Sequence, residues 1–126
     1  MKVVYVSGKF RGPNSWAMEQ NIRAAEELSL EVWKLGAVAL CPHLNTRFFQ
    51  GAAPDELWLD GDIELVRRCD AMLMVSNWQD SVGARHEKEF ADSIKQPVFF
   101  KIEVLQEWLK HQATLDSIAN GASKVE

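Results

Sequence analysis

Four short apolar runs alternate with stretches that carry a helical apolar stripe, and this alternation restricts the chain to few folds. The runs cover residues 3–7, 37–41, 71–75 and 97–100. Alternation of short strands and helices predicts a parallel sheet with right-handed crossovers and helices on both faces. We therefore expect an α/β, Rossmann-like or flavodoxin-like three-layer sandwich with a sheet of four or five strands.

The boundaries of the helices follow from capping residues and apolar spacing. Asn14 or Ser15 is a good N-cap for a first helix that ends at Gly36, and Pro54 suits the start of a second one. A third helix begins near Ser81, and a final amphipathic helix is predicted over residues 103–119. We expect one domain over residues 1–120 and a loose tail over residues 121–126.

Composition excludes several classes of function. The chain has 126 residues, 47% of them hydrophobic and 25% charged, which is typical of a single soluble domain. A net charge of −4 argues against binding of a nucleic-acid polymer. The N-terminal apolar run is too short for a signal peptide or a membrane span, and Cys41 and Cys69 lack metal-like spacing. We expect a cytoplasmic protein without membrane association.

One carboxylate of the third helix is placed among apolar residues. Glu87 precedes Phe90, Ala91 and Ile94 by three, four and seven residues, so it points with them toward the core. Gly83, one turn earlier, leaves space beside it. A carboxylate in this position belongs either to a site or to a structural hydrogen-bond network, and the stripe alone leaves both open.

A second carboxylate lies in the stripe of the second helix. Asp62 follows Trp58 by four residues and precedes Leu65 and Val66 by three and four. Two inward carboxylates on helices that flank one strand favour a shared site. If the first strand lies between the second and third, ligands bind at the carboxyl ends of the strands around that reversal.

Two loops lie at those strand ends. The first, residues 7–12, carries two glycines, Lys9 and Arg11, which fits either an anion-binding loop or a solvated turn. The second, residues 42–51, contains aromatic residues and His43, which fits either a ligand wall or a polar surface loop.

Three motifs in this sequence resemble those of one enzyme family and follow the same order. They are Tyr-x-x-Gly-x-x-Arg-Gly over residues 5–12, an acid eight residues before Asp70 at Asp62, and Ser81-x-Gly83-x-x-x-Glu87. Over roughly residues 3–101 the chain resembles the nucleoside 2-deoxyribosyltransferase-like family. Its nucleoside 5′-monophosphate N-glycosidase branch carries Ser, as here, where the transferases carry Asp. A related uncharacterised bacterial and phage-associated branch is similar too.

The resemblance implies an N-glycosidase that cleaves the base–sugar bond of a nucleoside 5′-monophosphate. In that scheme Glu87 is the nucleophile, Asp62 holds or protonates the base, and Tyr5 orients Glu87, although Tyr5 also fits a core aromatic. Substrate-binding residues would include the loop Ser7, Gly8, Lys9, Phe10, Arg11 and Gly12, the helix start Ser81 and Gly83, and His43 and Trp78 on the base side. No metal or organic cofactor is expected.

The resemblance also implies a homo-oligomer, since family sites are usually completed by a neighbouring subunit. Two alternatives remain for the activity itself. One is transfer of the deoxyribosyl group to a second base, and the other is nucleotide binding or sensing without catalysis, because a fold does not fix a function. A purely structural partner protein would bind no nucleotide at all.

Overall fold

The sheet has four parallel strands in the order β2-β1-β3-β4. A computed structural model describes residues 1–125, with side chains through residue 121. The strands are β1 (Val3–Ser7), β2 (Val38–Leu40), β3 (Ala71–Met74) and β4 (Val98–Phe99). The helices are α1 (Ser15–Lys34), α2 (Pro42–Asn45), α3 (Asp55–Arg68), α4 (Val82–Ser93) and α5 (Ile102–Val125). The predicted α/β three-layer sandwich is confirmed, with four strands.

Period-two alternation along β1 divides the core into two halves. Val4 and Val6 face one side of the sheet, where they pack in a cluster with residues of α1 and with Leu105 of α5. Tyr5 faces the other side, in a cluster with Val66 of α3 and with α4. Because successive strand residues point to opposite faces, Ser7 lies on the same side as Tyr5. The α3–α4 side of the sheet is therefore the side that receives two polar strand residues.

Local sequence explains why α1 begins and ends where it does. The Asn14 side chain accepts a hydrogen bond from the Ala17 N–H at 2.9 Å, so Asn14 is the N-cap of the two candidates, Asn14 and Ser15. Beyond the last turn, Gly36 has a φ of +87°, a conformation that glycine adopts without strain. Between them, Ile22, Ala25 and Val32 are buried at helical spacing.

Three boundaries differ from the sequence prediction. The segment after β2 contains the one-turn helix α2 where a loop over residues 42–51 is predicted. Both edge strands, β2 and β4, are shorter than their apolar runs. Helix α5 continues through Val125, where a loose tail is predicted from residue 121, because one glycine weakens a helix without ending it. Glu126 lies outside the described residues.

The C-terminal end of α3 is held by Gln96, a residue that follows α4 in the chain. Gln96 donates through its side-chain nitrogen to the carbonyls of Val66 and Cys69, both at 2.8 Å. These carbonyls lie at the C-terminal end of α3, where few helical N–H donors are left, and the Val66 carbonyl also accepts from the Cys69 N–H at 3.0 Å. The bonds hold α3 against α4 and so fix the two helices that carry Asp62 and Glu87.

No helix in the described part of the chain is both long enough and apolar enough to cross a bilayer.

Candidate functional site

A cavity of about 620 Å³ opens at the carboxyl ends of β1 and β3. Its walls come from the loop after β1 (residues 8–11), from α2 and the segment after it, from α3, and from the start of α4 (residues 80–84, 86 and 87). Because β1 lies between β2 and β3, the chain reverses direction at this point of the sheet. Ligands of open parallel sheets bind at such a reversal.

Glu87 lies on the inner wall of this cavity and is only 8% exposed. It shares the buried face of α4 with Ala84 and Ala91, three residues before it and four after it, so its predicted inward direction is confirmed. The Tyr5 hydroxyl donates to Oε2 at 2.6 Å, and the Ser7 hydroxyl donates to Oε1 at 2.8 Å. Each carboxylate oxygen thus accepts one hydrogen bond from β1.

The protonation states around Glu87 follow from burial. Burial raises the pKa of Glu87, while the hydrogen bonds from Tyr5 and Ser7 act in the opposite direction and stabilise the carboxylate. Burial, reinforced by the charge of Glu87, raises the pKa of Tyr5 well above its ordinary value. Tyr5 therefore keeps its proton and acts as a donor, so both hydroxyl groups favour the ionised form of Glu87.

A second acid with a perturbed pKa lines the same cavity. Burial, and then the nearby charge of Glu87, raise the pKa of Asp62 to about 7. Near neutral pH a substantial fraction of Asp62 is thus protonated. The predicted pair of carboxylates is brought to one cavity, where one is held as an acceptor and the other can donate a proton.

The loop after β1 is fixed by its backbone and by two asparagines. A Cβ added at Gly8 would lie 2.7 Å from Cβ of Val75, so only glycine allows the loop to pass β3 this closely. The Lys9 N–H donates to the Asn77 side chain at 2.9 Å. The Asn21 side chain donates to the carbonyls of Phe10 and Arg11, both at 3.2 Å.

The sequence analysis missed both asparagines as supports of this loop. Asn77 is the third residue after β3, at the end of the sheet where ligands bind, which is a usable indication. Asn21 lies inside α1 and gives no local indication, because its carbonyl partners come from the loop before that helix.

His43 is 6% exposed and has a defined tautomer. Its Nε2 lies 3.0 Å from the carbonyl oxygen of Lys9, and because a carbonyl can only accept, Nε2 carries the hydrogen. Burial lowers the pKa of His43, so the ring is neutral and Nδ1 is a bare acceptor. Within the described residues this Nδ1 is buried without a partner, as is Nε1 of Trp58, which lines the same cavity.

The predicted phosphate-binding residues Ser81, Lys9 and Arg11 all line the cavity, but Ser81 and Arg11 already have partners within the protein. Ser81 is the N-cap of α4, and its hydroxyl oxygen accepts from the Ala84 N–H at 3.1 Å, which leaves the hydroxyl proton free to donate. Lys9 and Arg11 both line the cavity. Arg11, however, is paired with Asp55, a residue that the sequence analysis did not select.

Several predicted site residues lie outside the cavity wall. Trp78 packs against Phe100, with ring centroids 5.6 Å apart, and its ring lies 5.9 Å from the Lys88 ammonium group. The prediction that Trp78 lines the base side is therefore corrected.

Gly12, Tyr5 and Ser7 also lie outside the cavity wall. A Cβ at Gly12 would lie 2.7 Å from Cβ of Ala17, so Gly12 serves the packing of the loop on α1. Tyr5 and Ser7 act from behind Glu87 and do not line the cavity.

Further lining residues come from positions that the sequence analysis assigned to other roles or left aside. The apolar stripe of the second helix predicts Trp58 in the core, and its side chain instead borders the cavity. The others lie near the ends of helices or in the segment after α2: Pro42, Thr46, Gln50, Asp55, Leu59, Asp80, Val82, Ala84 and His86. Among the described residues no group of three or more His, Cys, Asp or Glu side chains could hold a metal ion.

The fold and the cavity define a class of protein. It is a Rossmann-like or flavodoxin-like α/β domain with two carboxylates in a cleft at the reversal of strand order. The chain belongs to a particular family within that class: the model of a domain of unknown function, DUF4406, matches residues 2–100, more than three quarters of the chain. The matched region includes every element from β1 to β4. No curated protein matches the chain.

The close passage of Gly8 past β3 yields a first prediction. Gly8→Ala should lower the free energy of unfolding by about 1–3 kcal/mol, because the added methyl group must displace Val75. Gly61→Ala is the control: it lies in α3 with open space around it and should stabilise the protein by about 0.5–1 kcal/mol. Urea denaturation measures both, and equal effects would contradict the close contact.

The raised pKa of Asp62 makes stability depend on pH. Because the folded-state pKa is about 7 and the ordinary value is 3.8, the folded protein binds a proton more readily. The Asp62 contribution to stability is therefore lost as pH rises from about 4 to about 7. After allowance for partial exposure, Asp62→Asn should stabilise the protein by roughly 1–2 kcal/mol at pH 8 and by little at pH 4.

The control for this change is Asp60→Asn on the exposed side of the same helix. Its effect on the free energy of unfolding should be the same at both pH values. Urea denaturation at several pH values compares the two variants. A stability gain for Asp62→Asn that does not vary with pH would show that the pKa of Asp62 is not raised.

Proposed function

We propose that this protein is an N-glycosidase that cleaves the base–sugar bond of a nucleoside 5′-monophosphate. The observation that carries the proposal is the buried Glu87 carboxylate, which accepts hydrogen bonds from Tyr5 and Ser7 at the wall of a cavity that also contains Asp62. Two acids with different environments are what glycosidic bond cleavage with a covalent intermediate requires. The resemblance of the three motifs supports the same activity.

In the first step Glu87 attacks C1′ of the sugar, and the electrons of the C1′–N bond pass to the departing base. Asp62 transfers its proton to the base as that bond breaks, which a pKa of about 7 allows near neutral pH. The transition state resembles an oxocarbenium ion, and a carboxylate beside C1′ stabilises it. Tyr5 and Ser7 position Glu87 so that its side chain need not reorient.

In the second step water attacks C1′ and releases the sugar from Glu87. Asp62, now ionised, takes a proton from that water, so both acids return to their initial states. The products are the free base and the sugar 5-phosphate. Lys9, Arg11 and the free hydroxyl proton of Ser81 supply positive charge and a donor for the phosphate.

A binding or sensing module without catalysis is the second candidate. It is favoured by one observation: both oxygens of Glu87 already accept hydrogen bonds, as in a structural network. Such a module would bind nucleoside monophosphates and release no base. Transfer of the sugar to a second base would use the same glycosyl intermediate, and added free base would then appear in a new nucleoside product.

Base release by Glu87→Gln separates these candidates. The variant keeps an acceptor oxygen and the size of the side chain, but its amide is not a nucleophile, so base release should fall roughly 10³-fold or more while nucleotide binding persists. Chromatography after incubation with ribo- and deoxyribonucleoside monophosphates and nucleosides measures the free base. Glu89→Gln, on the exposed side of α4, should release base like the unmodified protein.

Unchanged base release in Glu87→Gln would reject the nucleophile. Nucleotide binding by the unmodified protein without any base release would favour the binding module.

The further expectations, a cytoplasmic protein that forms a homo-oligomer, belong to the same proposal. The later part of α5 supports self-association, since Leu115 and Ile118 are 45% and 63% exposed at helical spacing. Sedimentation equilibrium should therefore give at least twice the 14.3 kDa chain mass, and Leu115→Lys should reduce it. A single-chain mass at all concentrations would reject the oligomer.

A further inference from the structure

An ion pair connects two walls of the cavity. Arg11 comes from the loop after β1, and Asp55 is the first residue of α3. The Arg11 guanidinium donates to the Asp55 carboxylate, and both residues line the cavity. The two side chains are 66% and 44% exposed, so the pair lies at the solvent side and not in the core.

The charges that line the cavity explain why this pair matters for ligands. The cationic side chains there are Lys9 and Arg11, whereas the carboxylates are Asp55, Asp62, Asp80 and Glu87. A ligand phosphate that enters this cavity meets more carboxylates than cations. The Arg11 guanidinium is the group best suited to hold it, because its planar fork matches phosphate oxygens. One nitrogen of that fork, Nη2, is engaged by Asp55.

Arg11 has two possible partners, Asp55 and a ligand phosphate, and the stronger of the two displaces the other. An ion pair between side chains exposed to this degree contributes little to stability. A phosphate carries more charge than one carboxylate and can accept two parallel hydrogen bonds from arginine, whereas Asp55 accepts one here, so the phosphate is the stronger partner. When released, Asp55 remains in the first turn of α3, where the helix dipole favours a negative charge.

We infer that Asp55 is a specificity-determining residue, which holds Arg11 until the phosphate of a ligand replaces it. The carboxylate thereby sets how strongly the cavity prefers phosphorylated ligands over unphosphorylated ones. This inference rests on the proposed function, because it assumes that the phosphate of a nucleotide reaches Arg11. Asp55 contacts no reacting atom in this scheme and acts only through its competition for Arg11.

The test compares Asp55→Asn with Glu64→Gln. Glu64 lies on the same helix and pairs with Arg67 and Arg68, and it does not line the cavity. Calorimetry measures the Kd of 2′-deoxynucleoside 5′-monophosphates, of the matching nucleosides and of inorganic phosphate. In Asp55→Asn the Kd of the monophosphates should fall about fivefold or more, while that of the nucleosides stays within about twofold. Glu64→Gln should change neither.

A double-mutant cycle assigns the effect to Arg11. Arg11→Gln should weaken monophosphate binding, and in its presence Asp55→Asn should have no further effect on the Kd. An equal effect of Asp55→Asn with and without Arg11 would overturn the inference, as would an unchanged ratio of monophosphate to nucleoside affinity. Thermal denaturation of each variant checks that it is folded.

The Kd of inorganic phosphate separates this inference from the proposed function. Tighter phosphate binding in Asp55→Asn supports competition for Arg11 even if no base is released from any nucleotide. Base release from monophosphates together with unchanged Kd values in Asp55→Asn would leave the glycosidase standing and reject the role of Asp55.

Discussion

The contact between α4 and β1 through Glu87 is the interaction on which the site depends. A carboxylate that is almost fully buried is tolerated only when hydrogen-bond donors replace the water that it has lost. Tyr5 and Ser7 supply one donor to each oxygen, and both come from the strand at the centre of the sheet. The position of the acid is therefore fixed by a strand that is paired with neighbours on both sides.

Most of the fold and the direction of the two acids could be predicted from local patterns. The apolar spacing around Glu87 and Asp62 reflects the helical period, and the cap at Asn14 reflects a short-range hydrogen bond. Both features depend only on residues that are close together in the sequence. The place of the first strand between the second and third was only assumed in predicting the ligand site, because sequence alone does not say which strands pair.

What could not be predicted depends on contacts between distant segments. The pairing of Arg11 with Asp55 joins residues 44 positions apart, and neither local segment indicates the other partner. The resemblance implies a place for Trp78 on the base side, yet its ring packs against Phe100, which follows β4, and lies near Lys88 of α4. Such partners are fixed only once the sheet has formed.

The composition of the chain gives the bond between Tyr5 and Glu87 an additional experimental value. Tyr5 is the single tyrosine of the sequence. A protein grown with ring-labelled tyrosine therefore yields one set of aromatic resonances, and they arise from the phenol that touches the buried carboxylate. Any event that alters the charge or the neighbours of that carboxylate is recorded in a spectrum without overlap.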